Sequence, residues 1–256
     1  MILAVAAGAA AAAPQDAAKP LPMDDSSRYE RCLALVHHDP EQAFATAEDW
    51  RKAGGGFPAE HCAAVALVGL KRYQEAAQRL EALAGAMMQA QPRLRAEALE
   101  QAGQAWLLAD RAGEAKSAFD AALQLVPDDP DLLIDRAQAY AEAHNYWPAI
   151  DDLNQALELE PNRADALIFR ASAYRRVENG LDLALADVER ALTLAPDAVP
   201  GLLERGNIRE LKGDLAGARA DWIKVETLAP ASAAAAAAKD NLAHLAPAAP
   251  KQGGEK

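Results

Sequence analysis

Between residues 96 and 230 the apolar positions fall in short runs at helical spacing, broken by polar stretches rich in glycine, asparagine and proline. The last run, KGDLAGARADWIKVETLAP (212–230), places Ala218, Trp222 and Val225 at i, i+4 and i+7 and stops at Pro230. That recurrence marks one face of an amphipathic helix and does not fit the alternation of a strand. The same order is present three times upstream. Pro127, Pro161, Pro196 and Pro230 are spaced 34, 35 and 34 apart. Before each stand an alanine (Ala115, Ala149, Ala184, Ala218) and then a bulky residue (Phe119, Leu153, Val188, Trp222). A second small position (Ala122, Ala156, Ala191, Val225) and a leucine (Leu125, Leu159, Leu194, Leu228) follow.

The first half of each period repeats as well. Gly103, Ala137, Ala171 and Gly206 are small, and three residues later come Trp106, Tyr140, Tyr174 and Arg209. Turn-forming residues separate the halves at 110–113, 144–145, 178–180 and 212–214. Each period therefore predicts a helix, a short turn and a second helix, with the extra residue of the 35-residue unit in its turn. A small residue on one helix facing an alanine on the other lets the backbones approach, and the bulky residues fill the space beside that contact. Proline cannot continue the second helix. One such hairpin cannot bury its own apolar faces, so stacking must build the core.

These units resemble tetratricopeptide repeats, whose 34-residue period carries the same small, aromatic and proline positions. The resemblance covers 96–129, 130–163, 164–198 and 199–230. It implies an all-α fold, an α-solenoid of stacked helix-turn-helix repeats forming a right-handed superhelix with a C-terminal capping helix. Two positions depart from the repeat pattern. Arg209 stands where an aromatic is usual, and Ala102, Arg136, Arg170 and Arg205 stand where Leu is usual, so three arginines align along the stack.

Upstream the pattern weakens. Residues 57–95 keep Ala64, Ala76, Leu80 and Leu83 in register, but the proline comes late, at Pro92, which predicts a repeat with an extended second helix. Residues 24–56 read as a degenerate helix pair with Ala43, Ala47 and Trp50 turned inward. Downstream, Ser232 is placed as an N-cap for a capping helix over 231–246, and 247–256 reads as a disordered tail.

Composition sharpens this picture at a few points. Apolar residues make up 51% of the chain but aromatics only 5%, so the core must be mostly Ala and Leu, both strong helix formers. A formal net charge of −12 opposes nucleic-acid binding, which needs clustered Lys and Arg. The apolar stretch Ile2–Ala13 predicts a signal peptide or disordered leader over 1–18, although no Lys or Arg precedes it. The expected location is periplasmic or secreted in a bacterium if that segment is a signal, and cytoplasmic otherwise.

The resemblance implies that the first helix of each repeat lines a concave groove. Its expected partner-binding residues are Glu97, Glu100, Gln104, Asp131, Ile134, Gln138, Glu142, Asp165, Ser172, Arg175, Arg176, Asn207 and Glu210. The acidic members favour a basic protein or peptide partner, and Arg175 and Arg176 suit a carboxylate. Some members of the family clamp chaperone C-terminal carboxylates with Lys, Asn and Arg. Glu, Asp and Gln occupy those positions here, so that activity is not carried over. Cys32 and Cys62 fall on the first helices of the two weakest units and suit a disulfide if the chain is exported. His37, His38 and His61 lack the spacing of a metal site. No nucleophile–base pair or phosphate-binding loop is found. The sequence therefore points to a non-catalytic interaction scaffold in the bacterial envelope, without cofactor, metal or stable membrane insertion. A regulatory or assembly subunit of an enzyme or secretion complex is the alternative. An RNA-binding helical array is disfavoured by charge.

Overall fold

The computed structural model describes residues 25–245. The expected leader (1–18) and tail (247–256) lie outside the described residues. Thirteen helices follow one another, and there is no strand among the described residues. Six hairpins are formed: α1 (Asp25–Val36) with α2 (Pro40–Lys52), α3 (Gly56–Gly69) with α4 (Tyr73–Ala86), α5 (Pro92–Leu108) with α6 (Ala112–Leu125), α7 (Pro130–Glu142) with α8 (Tyr146–Leu159), α9 (Ala164–Tyr174) with α10 (Leu181–Leu194), and α11 (Val199–Leu211) with α12 (Leu215–Leu228). The helix α13 (Ala233–Leu245) packs on α12 and α11. Each helix touches its predecessor and its successor, the one-dimensional contact pattern of a solenoid.

Four of the six hairpin turns share one device. Lys71, Asp110, His144 and Gly213 take the left-handed conformation just after the first helix. The next N–H then reaches back five residues, from Arg72 to Leu67, Arg111 to Trp106, Asn145 to Tyr140 and Asp214 to Arg209. This six-to-one bond satisfies a carbonyl at the helix end and reverses the chain. In the 35-residue unit α9 stops at Tyr174 and the connection 175–180 takes up the difference, with Asn179 at positive φ. Pro40, Pro92 and Pro130 stand in first turns of helices, where a missing N–H leaves no bond unmade. Ser232 Oγ accepts from the Ala235 N–H and caps α13.

The repeated small and bulky positions form the core. Ala115, Phe119, Ala122, Ala149, Leu153, Ala156, Ala184, Val188, Ala191, Ala218, Trp222 and Val225 are all buried, as are Ala43, Ala47, Trp50, Ala64, Ala76, Leu80 and Leu83. One expectation is corrected. The second helix of the unit over 57–95 is not extended: α4 has the same 14 residues as α6, α8, α10 and α12. Pro92 does not end that helix but opens α5, which is the long one at 17 residues. Proline is as well suited to a helix start as to a stop.

Direct contacts also define the inner side. α5 meets α7, α7 meets α9, α9 meets α11, and α11 meets α13, whereas the second helices do not close on one another to that extent. The first helices therefore crowd together on the concave side of the stack. α3 and α5 are not among the pairs that close in this way.

Candidate functional site

The inner face is built from α5, α7, α9 and α11, and most of the expected groove residues lie exposed or half-buried on it. Between α7 and α9 a cleft of about 310 Å³ brings Gln138, Glu142, Ser172 and Arg176 together, with Phe169 and Tyr146 on its walls. Three expected members do other work. Ile134 is only 4% exposed and belongs to the core, because it falls on the side of α7 that faces the stack. Arg175 sets its guanidinium on the carboxylate of buried Glu204, so it already holds an acid from within the chain. The amide oxygen of Asn207 accepts from Trp222 Nε1 (3.3 Å) and from Asn241 of α13 (2.9 Å), tying the last helix to the stack.

The acidic members are not equivalent. Glu97 is paired with Arg93, which also reaches Asp129. Asp131 and Asp165 both share Arg163. No ion pair is formed by Glu100 or Asp135 among the described residues. Gln104 bridges them, its amide 2.9 Å from Asp135 and 3.5 Å from Glu100. Burial, and then repulsion from Asp135, Asp129 and Asp131, pushes the Glu100 carboxyl up to about 7. Burial chiefly, with repulsion from Asp131 and Asp129, pushes Asp135 up to about 6. Asp135 was not expected at this site; its position on α7 one turn after Asp131 was the available signal.

The aligned arginines point into the stack. Arg136 clasps Asp152 with Nε and Nη2 (2.8 and 2.7 Å) and reaches Asp120 of the preceding unit with Nη1 (2.8 Å). Arg170 clasps Asp187 (2.7 and 2.8 Å) and reaches Asn154 of the preceding unit (2.8 Å). Arg205 clasps Asp221 (2.9 and 2.6 Å), which Arg209 also contacts. Fork-to-fork pairs of this kind are directional as well as strong. In the first firm unit both partners are absent together, replaced by buried Ala102 and Ala118. The Arg–Asp pairs are legible as a matched spacing of 16 or 17 residues, of which the aligned arginines are one half.

At the other end, Cys32 of α1 and Cys62 of α3 are joined by a disulfide, their Cα atoms 6.3 Å apart. Beside it, Tyr29 and Gln101 hold His61. With the Gln101 amide oxygen accepting from Nε2 (2.7 Å), Nδ1 is left to accept from the Tyr29 hydroxyl (2.7 Å). Burial pulls the His61 imidazole below its ordinary pKa, so it is neutral and serves as a polar strut between α1, α3 and α5. Among the described residues no group of three or more His, Cys, Asp and Glu is placed to hold a metal. No described helix is long and apolar enough to cross a membrane.

No protein-family model matches the chain, and no curated protein matches it in sequence. Solved structures do. PilF of Pseudomonas aeruginosa is 15% identical, with a TM-score of 0.64 over 86% of this chain and 97% of that one. A chain of the APC/C hetero-tetramer Cut9–Hcn1 gives 0.61 at 15% identity, over 86% of this chain and 46% of that one. YrrB, a tetratricopeptide-repeat protein with an unusual peptide-binding site, gives 0.52 at 20% identity, over 77% and 98%. At these identities the likeness is one of fold. The thirteen helices, their pairwise stacking and these neighbours agree that the chain has the tetratricopeptide-repeat fold.

Proposed function

We propose that the protein is a non-catalytic interaction scaffold that grips a segment of a partner polypeptide along its inner face. The observation that carries this reading is the division of labour among the polar side chains. The Arg–Asp pairs are turned into the stack and tie the two helices of each unit together. Gln138, Glu142, Ser172 and Arg176 are instead left lining a cleft on the crowded side of the first helices. A curved wall whose polar groups are not engaged within the chain suits recognition of an extended or helical segment. The peptide-binding site of YrrB, a protein of the same fold, supports the reading.

The disulfide supports an oxidising compartment, since such bonds persist in secreted and periplasmic proteins and are rare in the cytosol. It favours the exported alternative, periplasmic or secreted, over the cytoplasmic one. A photo-crosslinking residue introduced at Gln138, Glu142 or Ser172 in the native host should trap a polypeptide. One introduced at exposed Gln155 or Glu158 on the second helix of the same repeat should not. Adducts formed only from the second-helix positions, or free alkylation of both cysteines in freshly isolated protein, would count against the two parts of this proposal respectively.

A further inference from the structure

A second cleft, of about 400 Å³, lies where α3 and α5 fail to close. Its existence follows from the irregular unit. The connection 87–91 is longer than its counterparts and α5 starts early at Pro92, so the two first helices are held apart. The floor is apolar and buried, formed by Leu83, Met87 and Ala98. The rim carries two large apolar side chains in solvent, Phe57 at 48% and Leu94 at 50% exposure. The His61–Gln101 bond closes one wall and leaves no polar atom there unpaired.

The charge around this cleft is one-sided. Glu97 lines it, Glu100 and Gln104 continue along α5, and beyond them Asp135 of α7 is bridged to α5 by Gln104. Arg93, the cation beside Glu97, is engaged by Asp129. Glu100 and Asp135 thus present half-buried carboxylates that form no ion pair among the described residues, further along the groove from the apolar hole. Their raised pKa values report the same lack of compensation.

We infer that this cleft takes a large apolar side chain of a partner peptide whose neighbouring Lys or Arg pairs with Glu100 and Asp135. The occupant is chosen by complementarity: burying Phe57 and Leu94 against an apolar side chain removes them from water, and a cation satisfies the two acids. The inference rests on the proposed scaffold function and specifies the segment it would hold.

The test pans immobilised full-length protein against a random-peptide display library, then titrates the enriched peptides by fluorescence anisotropy. The expected peptides carry a large apolar residue followed closely by Lys or Arg. Leu94→Glu, Phe57→Ser and Glu100→Lys should each weaken binding about tenfold. Leu94 and Phe57 are exposed, so both variants should keep the wild-type circular-dichroism melt. Enriched peptides without basic residues, or peptides bound equally well by Leu94→Glu and Phe57→Ser, overturn the inference. If those same peptides are lost on Gln138→Ala and Arg176→Ala, the scaffold reading stands without this cleft. No enrichment of any peptide overturns both.

Discussion

A Cβ placed on Gly206 would stand 2.4 Å from Nε1 of Trp222, closer than any real packing allows. The same holds for Gly103 against the ring of Phe119 at 2.5 Å. The units that carry alanine there, Ala137 and Ala171, face the smaller Leu153 and Val188. Each repeat thus fills one fixed volume with a different division between its two helices. Gly206→Ala should destabilise the protein by about 1–3 kcal/mol through overpacking, read as a lower urea midpoint. Combining it with Trp222→Leu should cost less than the two changes summed. Gly113→Ala, which meets nothing within 4 Å, is the control; an equal loss there would refute the steric account.

Arg170 and Asp187 test the pairs between helices. Arg170→Ala leaves the Asp187 carboxylate buried without its fork and should cost about 2 kcal/mol or more. The double change to alanine recreates the arrangement that Ala102 and Ala118 already use. It should recover a substantial part of that loss. A double variant no better than the single one would mean that the fork has no specific partner in Asp187.

Reducing the disulfide should loosen one end of the stack and spare the rest. Cys32 and Cys62 are 30 residues apart, and closing a loop of that length constrains the unfolded chain by about 3–4 kcal/mol in the entropy model. Among the described residues α1 packs chiefly on α2 and α3, so its amides should exchange faster after reduction while those of α7–α12 are unchanged. Uniform acceleration along the chain, or none in α1, would contradict this.

Glu100 sets a pH dependence with a definite sign. Its folded-state pKa, about 7, is raised above the ordinary carboxylate value. The stabilisation from its protonated form is therefore complete below about pH 4 and is lost as pH rises through 7. Asp135, at about 6, acts in the same direction. Glu100→Gln should flatten the change in melting temperature between pH 5 and pH 8, with the variant the more stable at the upper end. A wild-type melting temperature that rises across that interval in step with the variant would remove the argument.

Repetition made the fold legible. Ala149, Leu153 and Ala156 would mean little alone, but three other copies in register fix both the helix and its buried face. Where copies are few, only local signals remain and one is ambiguous: Pro92 has the same chemistry as a stop or a start, and only the position of α5 decides. The inner face was read less well because position in a repeat does not report what lies across from a side chain. Ile134 turns into the core, Arg175 meets Glu204, and Asn207 meets Asn241, a residue 34 positions away. The cleft beside Leu94 was hidden for the same reason, since it arises from a gap between helices that no residue type announces.

The arginine forks also make neighbouring units non-interchangeable. Arg136 and Arg170 each take an acceptor from the unit before, so neither can begin a column. The unit holding Ala102 has no arginine in this column; it reaches the unit below through Trp106 Nε1 to Glu81 (2.9 Å) and Arg95 Nε to the Ala84 carbonyl (3.3 Å), and it offers Asp120 above. The arginine column therefore starts above it, and exchanging these segments would leave guanidinium forks without their carboxylate or amide acceptors.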